Sequence, residues 1–189
     1  MIPSTAEAWN LVSEFVQSPT LRRHLVAVEI AMRAYADRFN EDPELWGVVG
    51  LFHDFDYDKY PEVSSGGHPL AGNAILEQRG IDAIIRDAIL AHAPEVTGRR
   101  PSTLLEKTLV AVDELTGFII AVILVHPDRK ISSVELKSIK KKWEEKAFAA
   151  PVDREHIAKA ALELGVPLDE HIEFVLRALQ SDAERLGLA

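Results

Sequence analysis

Residues 104–122 read LLEKTLVAVDELTGFIIAV. Apolar side chains in this stretch fall on nearly every side of a helical wheel, and a helix apolar all round belongs at the centre of its domain. Thr103-x-x-Glu106 gives it a capping-box start, and His126-Pro127 gives it an end, because the residue before a proline disfavours the helical conformation. The stretch predicts a long central helix. In its middle sits Asp113, a carboxylate that is costly to bury unless it is paired or meets a cation. A polar stripe shared with Glu106, Lys107 and Glu114 is the ordinary explanation for it.

Outward from this helix the punctuation stays helical. Ser4-x-x-Glu7 caps a first helix reaching about Val16. Ser18-Pro19 opens a second that runs to about Phe39, and Asp42-Pro43 opens a third that ends near Phe55. Residues 56–67 read as a loop. A fourth helix is expected over Pro69 to Arg79, stopped by Gly80, and a fifth over Asp82 to His92. A loop over Pro94 to Pro101 leads to the central helix. Beyond it, Ser132-x-x-Glu135, Asp153 and Asp169 stand where the caps of three further helices belong. No segment alternates long enough to predict a strand. The expected fold is therefore all-α: a helical domain over residues 1–127, with a helical extension over 128–189 packed on it.

Bulk properties narrow the function. The formal net charge of −9 repels polyanions, so extended nucleic-acid binding is not expected. A local cation site can still reverse the field for a small anion. Without cysteine, thiolate–metal sites and cysteine nucleophiles are excluded, and any metal must be held by histidine, carboxylate or water. Met1 to Thr5 lack the basic and apolar runs of a signal peptide. Gly117 to Val125, the longest apolar run, is too short to span a bilayer. The chain is expected to be cytoplasmic and to have no membrane partner.

The residues that can carry chemistry sit at helix faces and ends. His53-Asp54 closes the apolar run Leu45 to Phe52. Successive helical side chains point about 100° apart, so both reach one ion only from near a helix edge or end. His24 shares a face with Val28. His68 begins the fourth helix and His92 ends the fifth. Each has an ordinary structural explanation alone; together they form a donor inventory for hard or borderline divalent metals.

The order His24, His53-Asp54, Asp113 resembles the HD superfamily of metal-dependent phosphohydrolases, over about residues 20–126. The stretches Gly50 to Tyr57 and Ala111 to Ile119 carry the resemblance most closely. It implies a helical bundle in which His24, His53, Asp54 and Asp113 hold one divalent ion. His68 and His92 match the further histidines of two-ion members, with Asp54 bridging. Manganese, iron, cobalt, zinc and magnesium are equally compatible. Metal-activated water would then hydrolyse a small phosphorylated metabolite or nucleotide. Asp54 and Asp56 are the candidate catalytic carboxylates, and Arg99, Arg100 and Lys107 the candidate phosphate-holding residues. Two alternatives stay open: a di-iron oxygenase built on the same six residues, and a catalytically silent ligand-binding domain. Asp56 follows the His-Asp pair where many members have glycine, and no Gly-Tyr-Pro signature occurs, so activity on a cyclic dinucleotide is not implied. A homo-oligomer formed through the extension is also compatible with the sequence.

Overall fold

The computed structural model describes residues 1–64 and 66–189. Eleven α-helices make up the fold, and no strand occurs among the described residues. Helix α1 spans Thr5–Phe15 behind the Ser4/Glu7 capping box. Helix α2, Pro19–Phe39, is capped by Ser18 and stopped at Asn40, whose φ of 56° breaks the helix. Helix α3 covers Pro43–Phe52, with both orphan amides of its first turn bonded to Asp42. Then follow α4 (Leu70–Gln78), α5 (Ala83–Ala91) and the short α6 (Pro94–Thr97). Helix α7, Leu104–Val125, carries the expected capping box of Thr103 and Glu106 and ends at His126. The C-terminal part holds α8 (Leu136–Glu144), α9 (Arg154–Glu163), α10 (Leu168–Ser181) and α11 (Ala183–Leu186).

Helix α7 is the axis. Leu109, Val112, Leu115, Phe118, Ile119 and Ile123 are all buried, against α2, α3 and α5 on one side and α8, α9 and α10 on the other. By length and composition α7 is long and apolar enough to cross a membrane, but most of its apolar window is buried in the bundle. The shorter run Gly117 to Val125 thus understates the apolar length; burial in the core accounts for it. Helix α3 lies along α2 at close range because position 50 is glycine: a Cβ there would come within 2.8 Å of the Glu29 backbone.

Several boundaries differ from the sequence expectation. Helix α3 stops at Phe52, and the backbone continues in i→i−3 turns, with the Phe55 amide on Phe52 and the Tyr57 amide on Asp54. Of the loop expected over residues 56–67, residue 65 lies outside the described residues. The loop expected at 94–101 contains α6, started by Pro94 and closed by Gly98 at φ 71°. Ser132 does not cap α8. It lies in a 3₁₀ turn, Ile131–Ser133, and the helix begins after Glu135 with no side-chain cap. Asp169 sits in the first turn of α10 rather than at its cap, where its charge suits the helix dipole, and it pairs with Lys140 at 2.5 Å.

Among the polar links that bind the C-terminal helices to the rest, two reach fully buried side chains, Glu29 and His171. The buried Glu29 of α2 pairs with Arg33 at 2.9 Å and with Arg185 of α11 at 2.5 Å. His171 of α10 is wholly buried. The Tyr35 hydroxyl donates to its Nδ1 at 2.6 Å, and its Nε2 donates to the Ala111 carbonyl at 2.8 Å. Both ring nitrogens are used by the neutral imidazole, and burial holds the His171 pKa below the ordinary 6.5.

A histidine whose folded pKa is depressed favours the native state above its unfolded pKa. As pH falls through about 6.5, the unfolded chain takes up the proton first and stability drops. His171→Phe keeps an aromatic ring of somewhat larger size but leaves Tyr35 and Ala111 short of a partner. It is expected to cost about 1–3 kcal/mol at neutral pH and to flatten the loss of stability between pH 7 and pH 5. Urea melts of both proteins across that range check this.

Candidate metal centre

Four helices converge on one point near the middle of α7. His24 comes from the first turns of α2, and His53 and Asp54 from the end of α3. His68 comes from just before α4, His92 from the end of α5 and Asp113 from α7. The early end of α3 matters here. The i→i−3 turns after Phe52 turn two successive side chains toward the same spot, which a continuing helix would send about 100° apart.

The six side chains form two donor groups, His24–His53–Asp113 and Asp54–His68–His92. In the first, His24 Nε2 lies 3.0 Å from Asp113 Oδ1 and 3.1 Å from His53 Nε2, and His53 Nε2 lies 3.4 Å from Asp113 Oδ1. In the second, His68 Nε2 and His92 Nε2 are 3.2 Å apart, and they lie 3.2 and 3.4 Å from Asp54 Oδ1. The other oxygen of Asp54, Oδ2, faces the first group, 3.6 Å from His53 Nε2 and 3.9 Å from His24 Nε2. Asp54 is therefore shared between the groups.

Nitrogen tautomers are set from behind. His53 Nδ1 donates to the Gly50 carbonyl at 2.7 Å, and His92 Nδ1 donates to the Ile89 carbonyl. His68 Nδ1 donates to Asp56 Oδ1 at 2.7 Å. Each neutral ring then turns an Nε2 lone pair inward. Two lone pairs 3.1–3.2 Å apart repel unless a cation or proton lies between them. Donors about 2.1 Å from one ion stand about 3.0 Å apart at right angles and about 3.4 Å apart at the tetrahedral angle. The spacings within each of the two groups fall in that range, so each group fits a divalent metal.

The electrostatics agree. Burial opposes charge on His53, but the Asp54 and Asp113 carboxylates outweigh it and lift the pKa to about 9. His92 is raised against burial by Asp54. Asp54 is held below the usual carboxylate range, despite burial, by His53 and His92. Asp113 is held low by His53 and His24 in the same way. The cluster is an anionic hole that draws positive charge.

The remaining expected residues go elsewhere. Asp56 is buried with both oxygens occupied, Oδ1 by His68 and Oδ2 by the Gly72 amide at 2.7 Å. It orients a histidine and does not face the cluster. Arg99 pairs with Glu106 at 2.8 Å and with Asp87 at 3.5 Å, since the buried capping-box carboxylate needs a counter-charge. Arg100 is exposed and Lys107 half-buried. Among the described residues no ion pair joins any of these three to the six. Asp58 accepts from the amides of Gln17 and Ser18 at 2.7 and 2.8 Å, fixing the start of α2 upstream of His24. The sequence reading missed Gly72. A Cβ there would sit 2.7 Å from the Asp56 carboxylate, so only glycine lets that carboxylate reach both its partners. Its signal was a lone glycine inside a helical pattern.

The HD domain family model matches residues 21–117, about half of the chain and every one of the six residues. The chain belongs to the HD domain family. Membership places it in a superfamily of metal-dependent hydrolases. No curated protein and no solved structure matches it. In this HD domain His68 and His92 form a donor group with Asp54, whose other oxygen faces the group of His24, His53 and Asp113.

Calorimetric titration of the protein with manganese or zinc is expected to give two binding steps. Asp113→Ala should remove the tighter one. Asp56→Asn and Gly72→Ala should weaken only the other, by about 10–100-fold, because they loosen His68 alone. A single step that survives in Asp113→Ala would overturn the assignment of the first group.

Proposed function

We propose that this HD domain is a phosphohydrolase acting on a small phosphorylated metabolite or nucleotide. The observation that carries the reading is Asp54, which offers one oxygen to each of two donor groups. Divalent ions held there would supply Lewis acidity, lowering the pKa of a coordinated water toward about 7 and neutralising charge on a phosphoryl group.

The chain's own residues do the rest. The Gly50 and Ile89 carbonyls and Asp56 keep His53, His92 and His68 in the tautomer that faces inward. His53 and His68 are 0% and 4% exposed, whereas His24, Asp54 and Asp113 are 20%, 19% and 21% exposed. The centre is thus closed behind and open on the side of those three, where a ligand can approach.

Charge favours an anionic substrate. Two divalent ions would outweigh Asp54, Asp113 and the buried Asp56 together, leaving the centre net positive inside a low-dielectric wall. A phosphate ester balances that excess; a neutral organic substrate of the kind an oxygenase takes does not. With Arg99 committed to Glu106, the phosphate is met by the centre itself rather than by an arginine clamp.

Elemental analysis of the purified protein, followed by a phosphatase and nucleotidase panel with manganese, cobalt and magnesium, tests the reading. Phosphate release is expected, falling to background in His53→Ala and Asp113→Ala while both variants keep the wild-type helical content. Two bound irons with a mixed-valent signal and oxygen uptake, without phosphate release, would sink it in favour of the oxygenase. Activity unchanged in both variants would sink the site.

A further inference from the structure

Gly117 lies one turn beyond Asp113 on α7. Residues four apart share a helix face, so Gly117 stands on the side of the helix that carries Asp113. Glycine inside a helix is destabilising relative to alanine, and it is usually kept for a backbone reason. Neither of the usual reasons applies here. Gly117 is not among the positive-φ glycines, which are Gly80, Gly98, Gly165 and Gly187. It does not serve a close approach either. At Gly50 and Gly72 a Cβ would meet other atoms at 2.8 and 2.7 Å, but at Gly117 it would meet nothing within 4 Å. The helix does not end there, since it runs on to Val125.

What the glycine does leave is space. Its neighbours Thr116, Phe118 and Ile119 are buried, while Gly117 and Asp113 are half-open. Helical side chains lean toward the N-terminus and cover the preceding turn. A side chain at 117 would therefore lean over Asp113. Asp113 is itself one of the three partly exposed members of the centre, with 21% of its side chain open to solvent. We infer that Gly117 is a specificity-determining residue: on the phosphohydrolase reading above, the bare helix surface over Asp113 seats the organic group of the phosphoester, while its phosphate lies at the centre. The substrate class this implies is a monoester with a bulky alcohol portion rather than a minimal phosphate.

The test compares wild type, Gly117→Ala and Gly117→Leu, all loaded with manganese. Neither variant is expected to melt below wild type, and manganese stoichiometry should be unchanged. Inorganic phosphate should bind all three within about twofold, since it needs only the centre. Phenylphosphonate, which adds a bulky group, should bind Gly117→Leu about tenfold or more weakly, with Gly117→Ala between. Equal effects on both ligands, or none on either, would overturn the proposal. Extraction of manganese by EDTA reads the same opening without phosphate chemistry, and it should be slower in Gly117→Leu. Equal extraction rates would overturn the placement of Gly117 at the mouth. If neither phosphorus ligand binds wild type, the phosphohydrolase reading fails and the phosphoester seat falls with it. Slowed extraction would then still locate residue 117 at the opening.

Discussion

Two carboxylates sit among four imidazoles inside an apolar bundle: Asp54 faces all four, and Asp113 faces His24 and His53. Like charges at such range disfavour each other, and burial disfavours both. A fold can keep them ionised there only by supplying positive charge at the same spot. Both are held below the ordinary carboxylate range by the histidines around them, and His53 is lifted to about 9 in return. The architecture serves this one demand. Helix α7 is apolar all round so that it can carry Asp113 into the middle. Helix α3 gives way to tight turns after Phe52 so that His53 and Asp54 can both arrive.

Precision at the centre comes from contacts one layer further out. Gly50 lets α3 approach the backbone of α2 at Glu29, and the same residue's carbonyl holds His53 Nδ1. One glycine thus sets both the helix spacing and a tautomer. Gly72 gives Asp56 an amide and the room to use it, and Asp56 in turn fixes His68. From the far side, His171 of α10 ties Tyr35 of α2 to the Ala111 carbonyl, two residues before Asp113. The C-terminal helices therefore bear on the same stretch of α7 that carries the site.

The sequence displays some of this and hides the rest for physical reasons. Capping boxes act within three residues, so Ser4/Glu7 and Thr103/Glu106 are legible as written and mark their helices correctly. Polar residues stranded in apolar runs are legible for a similar reason: burying Asp113 or His53 demands an explanation wherever the chain goes. The destination of an exposed-looking charge is set by tertiary contact, and sequence spacing does not encode it. Arg99 reads as a phosphate ligand in a loop until the buried Glu106 claims it. Asp56 reads as a carboxylate beside a catalytic pair until the fold turns it away, toward His68 and Gly72. Ser132 has the right spacing for a cap, but the chain takes a 3₁₀ turn there instead.

The two donor groups are not equivalent, and their chemistry separates their roles. The first has a carboxylate of its own, Asp113, besides the Oδ2 side of Asp54. The second has only the Oδ1 side of Asp54 and two imidazoles, with Asp56 one bond further back behind His68. Attraction for a dication scales with the negative charge directly facing it, and that charge is larger on the first side. The first group is thus the stronger holder and the second the weaker. Asp56 offsets part of the difference by fixing the orientation of the His68 ring it hydrogen-bonds. A carboxylate placed to touch the centre would have equalised the two groups. Placed behind His68, it supports the second group without taking a position at the centre itself.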